Sequence, residues 1–134
     1  MTSADDTRLV LERYAAAWLK GDIATVNALY GDDIVFNYLG RHGLSGRHEG
    51  KPRATQALIE FNKRTGRRLK SVTDVIAGPV LGAIVVREAM GPEAVEVTRV
   101  LVYTVSGGQM RTCTIYDEDP ALIDRLVGET PLGR

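Results

Sequence analysis

The chain has 134 residues, enough for one domain (1–134) that buries about two-thirds of its unfolded surface without cross-links. Its 17 Lys+Arg balance 17 Asp+Glu, so it lacks the basic surface a nucleic-acid partner needs, and zero net charge does little to oppose self-association. A single cysteine, Cys113, excludes an internal disulfide and suits a reducing cytoplasm; no stretch reads as a secretion signal or as a bilayer span, so a cytoplasmic chain without a membrane partner is expected.

"SADDTRLVLERYAAAWLKGD" predicts the first helix. Ser3 with Asp6 has the form of a capping box. Leu11, Tyr14 and Trp18 recur at helical spacing and mark its apolar face. Gly21 ends it, and Asp22 caps a second helix, "IATVNALY", which Gly31 stops. "DIVFNYL" then alternates as a strand, with Ile34, Phe36 and Tyr38 on one face.

Next comes "YLGRHGLSGRHEGK", with four glycines and both histidines, His42 and His48. Its "GRHEGKP" has three residues between glycines and no Ser or Thr after the lysine, so it is not a P-loop. Glycines at 40, 43, 46 and 50 lack the tight spacing of a dinucleotide fingerprint. Two histidines six residues apart have no third ligand, so no metal site is expected. The segment reads as a hinge or lid, and the histidines as rim groups or plain surface residues.

"KPRATQALIEFNKRTG" predicts a third helix, with Ala54, Ala57, Leu58 and Phe61 as its stripe. Four strands follow: "RLKSVTDVIA", "VLGAIVVREAM", "AVEVTRVLVYTV" and "QMRTCTIYD", the last three joined by turns at "GPEA" and "SGGQ". "DPALIDRLV" closes the chain as a short helix capped by Asp119. The order implies an α+β domain with helices on one face of a curved, mostly antiparallel sheet.

Counting from those turns assigns faces. Even positions from Gly82 to Met90 share a face with odd positions from Val95 to Val105, and with Met110, Thr112, Thr114 and Tyr116. That face holds Glu88 and Arg99 on adjacent strands, either as a polar pair inside an apolar cavity or as a partly solvated pair at the sheet rim. The opposite face, with Val85, Val100, Val102, Cys113 and Ile115, is also apolar and suggests a second subunit.

"RYAAAWLKGDIATVNALYGDDIVF", "LSGRHEGKPRATQALIEF" and "VLVYTVSGGQMRTCTIYDED" together resemble bacterial ketosteroid isomerases and SnoaL-like polyketide cyclases. The resemblance covers nearly the whole chain. It implies the nuclear-transport-factor-like fold: a curved sheet wrapped against three helices as a cone with a central hydrophobic pocket, commonly dimeric. Tyr14 matches the oxyanion-donor tyrosine of the isomerases. Tyr38 stands where their aspartate base would be, and Leu101 where their second, protonated acid would be. A neutral tyrosine does not replace a carboxylate base, so steroid isomerisation by that route is not expected. The cyclases' tryptophan and acid positions fall at Thr114 and Ile115, or at Tyr116 and Asp117 after a small slip. Glu88 and Arg99 echo part of the Asp-Arg-Asp set of limonene-epoxide-hydrolase-like members.

The resulting expectation is a cofactor-independent enzyme acting by acid–base chemistry on an apolar oxygenated molecule, or a non-catalytic binding or adaptor module on the same fold. Tyr14, Glu88, Arg99 and Tyr38 are the catalytic candidates. Trp18, Phe36, His42, His48, Phe61, Leu101, Tyr103, Thr114 and Tyr116 are the substrate-contact candidates. The expected partners are a small hydrophobic molecule and a second copy docked through the sheet.

Overall fold

A computed structural model describes residues 2–133. The order is α1 (Ala4–Lys20), α2 (Ile23–Leu29), β1 (Tyr30–Tyr38), β2 (Gly46–Glu49), α3 (Lys51–Thr65), β3 (Arg68–Ala77), β4 (Leu81–Met90), β5 (Val95–Ser106), β6 (Gln109–Asp117) and α4 (Pro120–Val127). The six strands form one open sheet ordered β2-β1-β6-β5-β4-β3. β1 runs parallel to β6, and every other pair is antiparallel.

Local chemistry sets the helix ends. The Ser3 hydroxyl accepts from Asp6 N at 3.1 Å, and the Asp6 carboxylate accepts from Ser3 N at 3.0 Å, which together satisfy two otherwise orphaned donors. Hydrogen bonding from the Ser3 backbone, and then from its side chain, holds the Asp6 carboxyl below its ordinary pKa. Asp22 and Asp119 cap α2 and α4 with a single bond each, their carboxylates accepting from Thr25 N and Leu122 N. The side chains of Leu11, Tyr14, Ala57 and Phe61 are buried, which is why α1 lies over β3–β5 and α3 over β1 and β2. α2 is wedged at β1 and β6.

The register expected for β4 and β5 is observed: Val86 pairs with Arg99 and Glu88 with Val97, and Ile84, Val86, Glu88, Val97, Arg99, Leu101 and Tyr103 are all buried on the inner face. The register expected for β6 is not. Gly107 and Gly108 adopt φ of 60° and 73°, the left-handed pair a tight hairpin requires, and Val105 pairs with Met110. Thr104 then pairs with Thr112, so Arg111 is an extra residue in a β-bulge and parity reverses beyond it. Met110, Cys113 and Ile115 are buried inside, whereas Tyr116 is 52% exposed on the outer face. Thr114 also faces outward, with its hydroxyl accepting from Asn37 at 3.2 Å. Thr114 and Tyr116 are therefore not cone residues.

The glycine–histidine segment is not a lid. It contains β2, antiparallel to β1, and a turn docked under the C-terminal tail. Gly43 N donates to Gly128 O at 2.8 Å. A Cβ on Gly43 would fall 1.9 Å from the Thr130 carbonyl oxygen, so only glycine permits this approach.

Candidate ligand cone

A cavity of 560 Å³ opens between the end of α1, α2, α3 and the Arg67–Leu69 segment. That volume suits a small organic ligand. Below it lies a deeper cavity of only 20 Å³, closed in by Phe36, Tyr38, Phe61, Leu101, Tyr103 and Ile115. Tyr14, Trp18, Tyr30, Leu58 and Arg67 line both. The two are thus one cone, wide at its mouth and narrowed to the size of a single water or oxygen atom at its base. A third depression, of 960 Å³, lies outside the cone between α3 and the C-terminal tail and contains none of these aromatic donors.

Four phenols furnish the interior. Tyr14 and Tyr30 hydroxyls lie 2.6 Å apart. Since one phenol donates to the other, one hydrogen is left over for a ligand. The Tyr14 ring packs 5.8 Å from Trp18 and 5.6 Å from Tyr103. The Tyr38 and Tyr103 hydroxyls are buried without a hydrogen-bond partner among the described residues. Burial pushes all four phenols above the ordinary tyrosine pKa, so each stays a neutral O–H donor near pH 7.

Glu88 and Arg99 do face inward, and the structure adds a partner missed in the sequence, Arg67. Glu88 is fully buried. Its Oε1 accepts from Arg99 Nη1 at 3.1 Å and its Oε2 from Arg67 Nη1 at 2.7 Å. Arg99 Nε also donates to Asp117 Oδ1 at 2.5 Å. Burial alone would pull the Arg99 pKa down, but Asp117 and then Glu88 outweigh it. With both oxygens taken, Glu88 is an anchor for two guanidiniums and not a base directed at the cavity. Arg99 lies 4.8 Å from the Phe61 ring, and Phe61 stacks on Tyr38 at 4.9 Å. Arg67 lies 5.0 Å from the Trp18 ring and donates through Nε to Asn62 Oδ1.

The expected rim histidines lie elsewhere. His42 and His48 are buried, 6.5 Å and 5.9 Å from the Tyr38 ring, and neither lines the cone. His42 Nδ1 accepts from Leu44 N at 3.1 Å, and His48 Nε2 bonds the Leu44 carbonyl at 2.7 Å, so both hold the turn together. Burial lowers the His42 pKa, against the opposing pull of Asp124 and the Leu39 carbonyl. Tyr14, Tyr38, Trp18, Phe36, Phe61, Arg99, Leu101 and Tyr103 are brought together at the cone. Tyr30, Leu58, Arg67, Cys113 and Ile115 join them. Tyr30 had read as the end of a helix, and Arg67 fell between the third helix and the strand after it. Only the chain's return past α1 gives either an inward role.

No family model matches the chain, and no curated protein matches it in sequence. Solved structures do match in shape. Bal32a from a soil-derived mobile gene cassette is 18% identical, with a TM-score of 0.80 over 92% of this chain and 98% of its own. An NTF2-like protein from Burkholderia xenovorans is 17% identical, with a TM-score of 0.74 over 96% and 100%. TerC is 15% identical, with a TM-score of 0.73 over 88% and 98%. Ketosteroid-isomerase-like and polyketide-cyclase-like structures match as well. The chain therefore has the α+β cone fold that these NTF2-like structures share, as the sequence resemblance implied.

Proposed function

We propose that this chain takes an apolar, oxygenated small molecule into the cone and polarises one of its oxygens through the Tyr14–Tyr30 pair. The observation that carries this reading is the 2.6 Å contact of two neutral phenols on the wall shared by mouth and base. A preorganised O–H donor in a largely dry site stabilises charge developing on a carbonyl, enol or epoxide oxygen. Isomerisation, cyclisation and epoxide opening all draw on such a donor, which supports a SnoaL-like acid–base enzyme acting on a polyketide, steroid-like or terpenoid molecule. The co-crystallisation of TerC with polyporic acid lends support to a small-molecule ligand on this fold.

One observation favours a second reading, a binding module without turnover. Glu88 and Asp117 are engaged by guanidiniums, and no carboxylate is among the residues that line the cone. A thermal-shift and turnover screen of polyketide, steroid and terpenoid ketones, enols and carboxylic acids separates the readings. Stabilisation with product formation, both reduced about tenfold or more in Tyr14→Phe, supports the enzyme. Stabilisation without turnover supports the binder. A protein that none of these compounds stabilises refutes both. The outer face of the sheet, with half-buried Val100 and Val102 beside Tyr116, supports pairing with a second copy.

A further inference from the structure

The charges that reach the cone are all of one sign. Lys20 and Arg67 line the mouth, and Arg67 and Arg99 line the base, with no acidic residue in either lining. The two carboxylates of the cluster stand behind the guanidiniums: Glu88 bridges Arg67 and Arg99, and Asp117 takes Arg99 Nε. This arrangement fixes the arginines without covering their remaining donors. Arg99 is 2% exposed, and its Nη2 is buried with no partner among the described residues. Tyr38 is 3% exposed and Tyr103 1% exposed; their hydroxyls are orphaned as well, and all three residues line the same 20 Å³ space.

An unpaired guanidinium N–H and two unpaired phenols in one dry site are costly unless an acceptor occupies it. The space admits one oxygen atom or one water. Resting on the small-molecule reading above, we propose that the ligand is an apolar organic anion, a carboxylate or ionised enol. Its body fills the mouth against Trp18 and Leu58, and its charged head reaches the neck at Arg67. One oxygen continues into the base toward Arg99 Nη2, Tyr38 and Tyr103. Arg67 guards the neck: it lines both cavities, lies over Trp18 at 5.0 Å, and is tied to Glu88 at 2.7 Å. A neutral molecule of the same shape makes no charge-assisted bond to the donors these guanidiniums leave free.

The test uses the whole chain and three probes on one apolar frame: adamantane-1-carboxylate, its isostere adamantane-1-carboxamide, and 1-adamantylammonium. Trp18 is the only tryptophan, so its fluorescence reports occupancy of the neck, and calorimetry gives the affinities. The carboxylate is expected to bind about tenfold or more tighter than the carboxamide, and the ammonium least. Arg67→Gln is expected to bring the carboxylate down to the carboxamide's affinity while leaving the carboxamide nearly unchanged. Equal binding of carboxylate and carboxamide by the unaltered protein overturns the anion proposal and leaves the small-molecule reading standing. Binding of none of the three overturns the proposal, and the wider screen of ketones, enols and acids then decides the fate of the broader reading. The comparison in the unaltered protein needs no variant, so poor folding of Arg67→Gln does not obscure it.

Discussion

Arg67 Nη1 donates to Glu88 Oε2 at 2.7 Å, linking the neck of the cone to a carboxylate with no exposed surface. The same carboxylate holds Arg99 through its other oxygen. Removing it leaves two inward guanidiniums short of their counter-charge. Glu88→Gln is therefore expected to lower stability by about 3–5 kcal/mol, the usual cost of breaking a buried pair by deleting one partner. Denaturant unfolding at pH 7 measures it. A loss under about 1 kcal/mol would show that the cluster behaves like a solvated surface pair.

His42 gives the stability a pH dependence of definite sign. Its folded-state pKa lies below the ordinary 6.5 because burial disfavours the charged ring. The neutral form is therefore favoured by folding. Its contribution is complete above about pH 6.5 and is lost as pH falls from there toward the lower folded value. Unfolding midpoints measured from pH 8 to 5 are expected to drop, and His42→Gln is expected to flatten that part of the profile. An unchanged slope in the variant would remove His42 as the cause.

Cys113 is buried at the base of the cone, and burial pushes its thiol up to about 12. At pH 8 almost none of it is thiolate, the reactive form. An aromatic disulfide reagent is expected to leave the folded protein unmodified for hours and to titrate one thiol at once in denaturant. Rapid labelling under native conditions would mean that the base of the cone opens readily.

The outer sheet face carries Tyr116 at 52% exposure beside half-buried Val100, Val102 and Thr114. If a second copy covers this face, Val102→Glu places a charge in the interface and is expected to convert a dimer to a monomer in sedimentation velocity, with the fold retained by circular dichroism. A monomeric parent protein, or a dimer indifferent to the substitution, counts against pairing through this face.

Much of the fold is legible in the sequence because its determinants are local. Caps at Ser3, Asp22 and Asp119, apolar stripes at helical spacing, and the turns that set the β4–β5 register all act within a few residues. They place Tyr14, Trp18, Phe36, Tyr38 and Phe61 inside, and they put Glu88 and Arg99 on one face. By itself the sequence thus determined the curved α+β arrangement and every element but β2, and its resemblance to a known family implied the cone. The tertiary structure decided how that cone is charged and which strand face enters it. One extra residue, Arg111, reverses the parity of β6, sending Thr114 and Tyr116 out and Cys113 and Ile115 in. The turn on His42 and His48 is buried by a C-terminal tail more than eighty residues away in sequence. Arg67 meets Glu88 only where β3 pairs with β4, beside the Leu69–Glu88 register. Periodicity cannot announce these contacts, because each depends on where a distant segment returns and not on the residues beside it.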